Sequence, residues 1–377
     1  MITEKGKNMC IGVITPPISA AGVIPLSNLL NILSAQYQEV YLITGNEGYN
    51  LFKNDKRIII FEIRHKKLQN NFLRILSFFY LQILMSLVLL KNVKKCDVWI
   101  FFLGGEIMVF PMLTAKLFRK KVFLLFGGSA VKIYFNDNFA LLWLKLFTTI
   151  NCRISDKIIL YSKNLVKEWN LEKWENKIEY AHEHIIDFKK FTLMMKPHER
   201  DNLVGYIGRL SEEKGIWNFI LAIDIILKER EDIQFLIIGD GLLREKIEQY
   251  INHKKLNRFI HLEDWILHDD LPVEFNKLKL IVIPSYTEGL PNVMLESMAC
   301  GTPVLAKSIG MIPCFIRNGD TGFIMEDNSP QCIAENIIRA LGDPNLENMA
   351  MNAKKLIEKE FTLERTVMQW KRILDEI

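Results

Sequence analysis

Short apolar runs that do not alternate place the strongest limit on how this chain can fold. "CIGVIT" (10–15), "EVYLIT" (39–44), "RIIIFEI" (57–63), "DVWIFF" (97–102), "KVFLLF" (121–126) and "DKIILYS" (156–162) are continuous rather than polar at every second residue. A strand of that kind is covered on both faces, as in a parallel sheet flanked by helices. "NLVGYIG" (202–208), "IQFLIIG" (233–239), "FIHLED" (259–264), "LIVIPS" (280–285), "PVLAKS" (303–308) and "GFIME" (322–326) repeat the habit. Between them lie stretches with apolar residues at helical spacing, among them "GIWNFILAIDIILKERE" and "GLLREKIEQYINHKKL". This alternation predicts two doubly wound α/β domains in series. The polar stretch 189–202 marks the expected boundary. An N-terminal domain then covers 1–195, a C-terminal domain 200–360, and the amphipathic segment 361–377 packs back on the first.

Six cysteines are scattered with no C-x-x-C pair, which argues against a zinc site and a disulfide framework. The first apolar run is too short for a signal-peptide core, so a cytosolic protein is expected. Charge is uneven. Residues 1–190 hold 26 Lys+Arg against 15 Asp+Glu, and the remainder 22 against 29. A basic half suits an anionic membrane or a phospholipid-linked substrate as well as a plain solvated surface. No nucleic-acid module is recognisable, so no nucleic-acid partner is expected. The stretch 72–90, "FLRILSFFYLQILMSLVLL", is almost wholly apolar and has Arg64, Lys66, Lys67, Lys91, Lys94 and Lys95 around it. Three readings stay open for it: a buried crossover helix, a helix half-sunk in an anionic membrane face, and a true span.

The chemistry concentrates in "PSYTEGLPNVMLESMACGTPV" (284–304). It reads as a strand end, a loop and a helix, with Pro291 at the first helical position and Gly301 at the stop. Free N–H groups at such a start attract anions, and Gly289 lets backbone approach a ligand. Glu296 lies about five residues into the helix, about 7–8 Å along its axis. A diphosphate at the helix start places a ribose near Glu296 and a sugar near Glu288. The helix is otherwise nearly all apolar, so a carboxylate at 296 needs a partner.

In "VGYIGRLSEEKGIWNFI" (204–220) a strand ends at Gly208, and Arg209 and Lys214 follow before Gly215 opens a helix. Two cations at that end of a strand can neutralise a leaving diphosphate. "IIGDGLLREKI" (237–247) supplies a Gly239-x-Gly241 turn without the third glycine of a dinucleotide fingerprint. After "HLED", the backbone beyond Asp264, at Trp265, can read a nucleobase edge.

Together, residues 200–330 resemble the C-terminal domain of a family 4 retaining glycosyltransferase of the GT-B fold, the "glycosyl transferases group 1" type. The motifs are the "GR…KG" of 208–215, the "GDG" of 239–241 and the E-x7-E stretch with its "GLP" and "ACGTPV". The resemblance implies two Rossmann-like domains facing a central cleft. It implies that Arg209 and Lys214 hold the donor diphosphate, Glu288 lies at the donor sugar and Glu296 binds the ribose. Gly208, Gly239, Gly241, Gly289, Leu290, Pro291, Asp264 and Trp265 complete the expected donor site. The first half matches more loosely. In "TPPISAAGVIPLSNLL" only Gly22, beside Ala21, remains of a Gly-Gly loop. "LLFGGSAVK" offers Gly127, Gly128 and Ser129 on the acceptor side, with Phe126 where many members carry His. "EHIIDFKKF" has His184 in place of a linker glycine, and "SIGMIPCFI" carries Met311 and Cys314 where Gly and Glu are usual.

No D-x-D run occurs, so neither metal nor other cofactor is expected, and His182-x-His184 is too sparse for a metal site. The expected activity is transfer of a hexosyl unit from a UDP- or GDP-linked sugar to a saccharide or polyprenyl-linked glycan, in cell-surface polysaccharide or glycoconjugate synthesis. The protein would be cytoplasmic, with a peripheral place on the cytosolic face of the membrane as the alternative. The rivals are a sugar-nucleotide epimerase, a phosphorylase and a non-catalytic sugar-nucleotide-binding protein.

Overall fold

The structure, a computed structural model, describes residues 9–19, 22–64, 71–128 and 138–376. It divides into two compact units, Met1–Ile185 with Leu363–Ile377, and Ile186–Thr362. Residues 186–195 thus go with the second unit, and the last helix, Leu363–Asp375, with the first.

The first unit is built on a parallel seven-stranded sheet. Its strands are β1 (Ile11–Ile18), β2 (Val40–Asn46), β3 (Ile58–Glu62), β4 (Val98–Phe101), β5 (Lys121–Leu125), β6 (Lys157–Leu160) and β7 (Ile178–Tyr180). Their order is β3-β2-β1-β4-β5-β6-β7. The six apolar runs of the first half are six of these strands, and their buried residues form the middle of the sheet. β7 escaped the sequence pattern because it is a three-residue edge strand, only partly buried. β1 runs on through Pro16 and Pro17, and its register with β2 slips between Ile14 and Pro17. Prolines have no N–H for the ladder, so a slip there is their natural place.

The helix Asn71–Asn92 is the crossover from β3 to β4. Leu76–Lys95 is long and apolar enough to cross a membrane by length and composition, yet only 28% of that window is buried. A fully buried crossover is therefore not what the structure shows. Both ends feed strands of one sheet, and Gln82 Oε1, itself buried, accepts from the Phe110 N–H at 3.0 Å. Those ties hold the helix to the unit along its inner side. Lys66 and Lys67 lie outside the described residues.

The second unit carries a parallel six-stranded sheet, β8 (Leu203–Ile207), β9 (Gln234–Ile238), β10 (Ile260–Glu263), β11 (Leu280–Ile283), β12 (Val304–Lys307) and β13 (Phe323–Met325). All six were legible as apolar runs. The order β10-β9-β8-β11-β12-β13 reverses direction between β8 and β11. Loops leaving the carboxyl ends of those two neighbours diverge, which opens a crevice where ligands of such sheets bind. Arg200 fastens the underside of the unit. Its guanidinium, buried and without a carboxylate partner among the described residues, donates to the carbonyls of Met195, Leu278 and Cys300 and to Thr302.

Candidate active site

The two loops that diverge at β8 and β11 bring Lys214 and Glu288 together. Lys214 Nζ donates to Glu288 Oε1 at 2.7 Å, and Ser285 Oγ donates to the same oxygen at 2.7 Å. Lys214 ends a single 3-10 turn, Glu212–Lys214, and Gly215 follows with φ 67°. A Cβ on Gly215 would stand 2.0 Å from the Pro284 carbonyl oxygen. Only glycine lets the Lys214 turn press this closely on the end of β11. That contact, more than the sequence distance, sets the ion pair. The Glu288 side chain is 10% exposed and that of Lys214 24%, so solvent screens the pair only in part.

Arg209 stands apart from this pair. Its guanidinium is half exposed and its ion partner is Glu213, 3.4 Å away. Its carbonyl accepts from the Tyr206 hydroxyl at 2.6 Å, and burial pushes the Tyr206 phenol far above its ordinary range. The backbone at 209 is thus fixed while the side chain is left to reach a ligand. Gly239 brings the Gly-Asp-Gly turn onto the same spot, since a Cβ there would lie 1.9 Å from the Gly208 carbonyl oxygen. Gly208, Gly239 and Gly241 therefore stack at the carboxyl ends of β8 and β9.

The helix after Glu288 is Asn292–Ala299, with Pro291 as the residue before its first turn rather than inside it. Its backbone there is extended, φ −68° and ψ 120°, so the helix begins one residue later than the sequence predicts. Gly301, at φ 67°, ends it as expected. Glu296 is buried, and its partner is His268, whose Nε2 lies 2.8 Å from Oε1. His268 Nδ1 in turn lies 3.2 Å from Lys190 Nζ, and Lys190 also pairs with Asp269. Lys190 and His268 were not singled out in the sequence, because a lone histidine in a polar loop carries no spacing signal.

Asp264 and Trp265 leave the edge strand β10, two strands from β8, and both are largely exposed. Arg244 binds Asp264 at 2.9 Å and donates to the Gly239 carbonyl at 2.9 Å, tying that loop to the glycine turn. Gly289 is held by the amide of Met311, which donates to its carbonyl at 2.9 Å, and Leu290 is buried beside it. In the first unit, Gly22 caps the helix Val23–Ser34 just after β1, and Ala21 lies outside the described residues. Gly127 and Gly128 follow β5. Among the described residues a Cβ on Gly128 would meet nothing within 4 Å, while the Gly128 carbonyl accepts from Trp169 Nε1 at 3.0 Å. Ser129 lies outside the described residues. Phe126 turns its ring inward, buried at 4.8 Å from Trp169, and presents nothing polar at its position. Among the described residues no group of His, Cys, Asp and Glu has the makings of a metal site.

Residues 194–356 match the family profile Glycosyl transferases group 1. That segment is similar to a glycosyl transferases group 1 domain. Within it lie Arg209, Lys214, Glu288 and Glu296, together with both glycine turns. The chain is similar to the alpha-D-kanosaminyltransferase of Streptomyces kanamyceticus, 31% identical over 46% of each chain. It is also similar to the capsular polysaccharide biosynthesis glycosyltransferase CapM of Staphylococcus aureus, 28% identical over 63% of each. The chain thus spans about half to under two thirds of the length of these curated relatives. The solved structure of Anabaena HepE in complex with UDP-glucose superposes with TM-score 0.77 over 98% of this chain and 100% of that one, at 16% identity. That likeness shows the fold, GT-B, with its two parallel-sheet α/β domains.

Outside the segment 194–356, one buried polar cluster went unnoticed in the sequence. The Tyr161 hydroxyl donates to Glu183 Oε1 at 2.6 Å, both beside the ends of β6 and β7, and the Tyr161 ring meets His184 edge-on. Burial pushes the Glu183 carboxyl up to about 7 and pulls His182 down to about 4. The sequence showed only "AHEHIID", in which nothing marks the glutamate as buried.

Proposed function

We propose that this protein transfers a hexosyl unit, with retention, from a UDP- or GDP-linked sugar to a hydroxyl of a saccharide or polyprenyl-linked glycan. The observation that carries the reading is the Lys214–Glu288 pair at the crevice between β8 and β11, with the half-exposed Arg209 earlier in the same loop and an ordered helix start after Glu288. In this reading the donor diphosphate lies against the helix start and draws Lys214 and Arg209 onto its oxygens. Negative charge on that diphosphate grows as the sugar bond breaks, so the two cations act most strongly in the transition state. Lys214 and Ser285 both hold Glu288 through Oε1, which leaves Oε2 to accept from the sugar. Glu296 takes the ribose hydroxyls. No metal is needed, because the cations and helix dipole supply the charge a metal would.

HepE has been solved with UDP-glucose, and CapM is named for capsular polysaccharide biosynthesis. The first supports a nucleotide-sugar donor and the second a role in cell-surface polysaccharide or glycoconjugate synthesis. A polyprenyl-linked acceptor would keep the reaction at the cytosolic face of a membrane, the localisation we propose. The decisive experiment is a panel of UDP- and GDP-sugars screened by thermal stabilisation and then by turnover with and without acceptor. A bound donor at a hundred times its dissociation constant adds about 2.7 kcal/mol. Stabilisation by no member of the panel overturns the donor reading. Release of free nucleotide at full rate without any acceptor points instead to the epimerase alternative.

A further inference from the structure

The helices Asn71–Asn92, Val109–Leu117 and Asn138–Ile154 follow β3, β4 and β5, and each leads to a strand lying further along the sheet in the same direction. Right-handed crossovers that all run one way put their helices on one face of the sheet. The three form a single layer. Its seam is aromatic: the Phe79 ring lies 6.1 Å from Phe110, 6.5 Å from Trp143 and 6.3 Å from Phe147.

The outer side of this layer is not polar. On the first helix Leu76, Tyr80, Ile83, Leu87 and Leu90 are 43% to 61% exposed. Their spacing of four, three, four and three residues lines them along one face of the helix. Leu113 and Leu117 on the second helix and Trp143 and Leu146 on the third are exposed as well, Leu117 at 81%. Single exposed leucines are ordinary, but a band of large apolar side chains across three adjacent helices marks a surface that something covers.

Charge decides what covers it. The three helices contain no Asp or Glu, while Lys91, Lys116, Lys145 and Arg153 lie on them. Lys116 is engaged with Asp156. Lys91 is four residues beyond Leu87, and Arg153 seven beyond Leu146, so these cations share the apolar face rather than opposing it. A face turned to water would mix both signs. A twofold dimer on this face would offer its cations no carboxylate from the same three helices. An apolar band with aromatic residues and a basic fringe matches an anionic lipid leaflet.

We propose that the outer face of this three-helix layer docks on an anionic membrane surface, lying in the interface and not crossing it. The inner residues Met85 and Leu89 of the first helix are buried in the unit, which keeps that helix from leaving it. The surface is wider than the single apolar segment visible in the sequence, because two shorter helices contribute to it. It does not depend on the donor reading, and its test does not use a donor.

The test is flotation of the full chain with phosphatidylcholine vesicles, with and without phosphatidylglycerol. The wild-type protein should float with the anionic vesicles at low salt and lose most of that binding in high salt, as screening removes the charge contribution. Leu87→Asp combined with Leu117→Asp should lower vesicle affinity at least about tenfold. Leu242→Asp, at a 96% exposed leucine of the other unit, should change nothing. Thermal midpoints equal to wild type show that each variant is folded. Trp143→Phe should remove a blue shift of tryptophan fluorescence that accompanies vesicle binding. A wild-type protein that ignores anionic vesicles at low salt, or binds neutral ones equally, overturns the proposal. So does a concentration-dependent dimer that Leu87→Asp abolishes.

Discussion

His268 Nε2 lies 2.8 Å from Glu296 Oε1, and on the far side of the same ring Nδ1 lies 3.2 Å from Lys190 Nζ. A lysine ammonium can only donate, so Nδ1 accepts and the ring proton sits on Nε2, from which it donates to Glu296. The carboxylate that the sequence places on a mostly apolar helix is therefore held by one oxygen before any ligand arrives. In the proposed reading the other oxygen accepts from the ribose.

Glu296→Gln should weaken binding of the free nucleoside diphosphate by roughly 1.5–3 kcal/mol, the worth of hydrogen bonds to a charged acceptor. His268→Ala should weaken it less, because the carboxylate remains but is no longer oriented. Calorimetry with UDP and GDP measures both. Unchanged affinity in Glu296→Gln removes that residue from the site.

Arg209→Ala and Lys214→Ala should lower kcat more than they raise KM, since the leaving diphosphate carries most charge in the transition state. Lys214→Ala also strips Glu288 of its 2.7 Å partner, leaving a carboxylate that is 10% exposed with Ser285 alone. Its loss should exceed that of Arg209→Ala, whose side chain is half exposed and pairs loosely with Glu213. A rise in KM alone for both would make them binding groups only.

Turnover should survive EDTA, because in the proposed reading Lys214 and Arg209 neutralise the diphosphate without a metal. Complete loss restored by Mg²⁺ or Mn²⁺ would mean that a metal is part of the reaction.

The fold was legible wherever burial on both faces leaves an unbroken apolar run, which is why twelve of the thirteen strands among the described residues could be read and the edge strand Ile178–Tyr180 could not. The E-x7-E stretch was legible because a helix start, a glycine and two carboxylates share one short segment. What the sequence could not supply is contact between distant segments. His268 reaches Glu296 across 28 positions and Lys190 reaches His268 across 78, and neither spacing follows any secondary-structure period. Pro291 shows the smaller limit: proline suits the residue before a helix nearly as well as the first one in it, so the boundary moved by one.

The buried pair at 182 and 183 yields the last prediction. Glu183 is 1% exposed, accepts from the Tyr161 hydroxyl, and has no hydrogen-bond partner for Oε2 among the described residues. Burial raises its carboxyl from an ordinary 4.5 to about 7, and lowers His182 from 6.5 to about 4. For Glu183 the neutral form is favoured on folding, so its contribution is fully present below pH 4.5 and is lost as pH rises through about 7. For His182 the neutral form is again favoured, so its contribution is present above pH 6.5 and is lost as pH falls through about 4. Between pH 4.5 and 6.5 the unfolded chain has released one proton and taken up another relative to the folded one, and the two slopes cancel. Glu183→Gln should leave only the histidine slope, with stability falling relative to wild type as the solution is acidified. His182→Gln should leave only the glutamate slope, with stability falling as pH rises. Each amounts to about 3 kcal/mol across its full window. Denaturant unfolding followed at half-unit steps of pH measures the differences. Variant curves that run parallel to wild type would show that neither group is held neutral by burial.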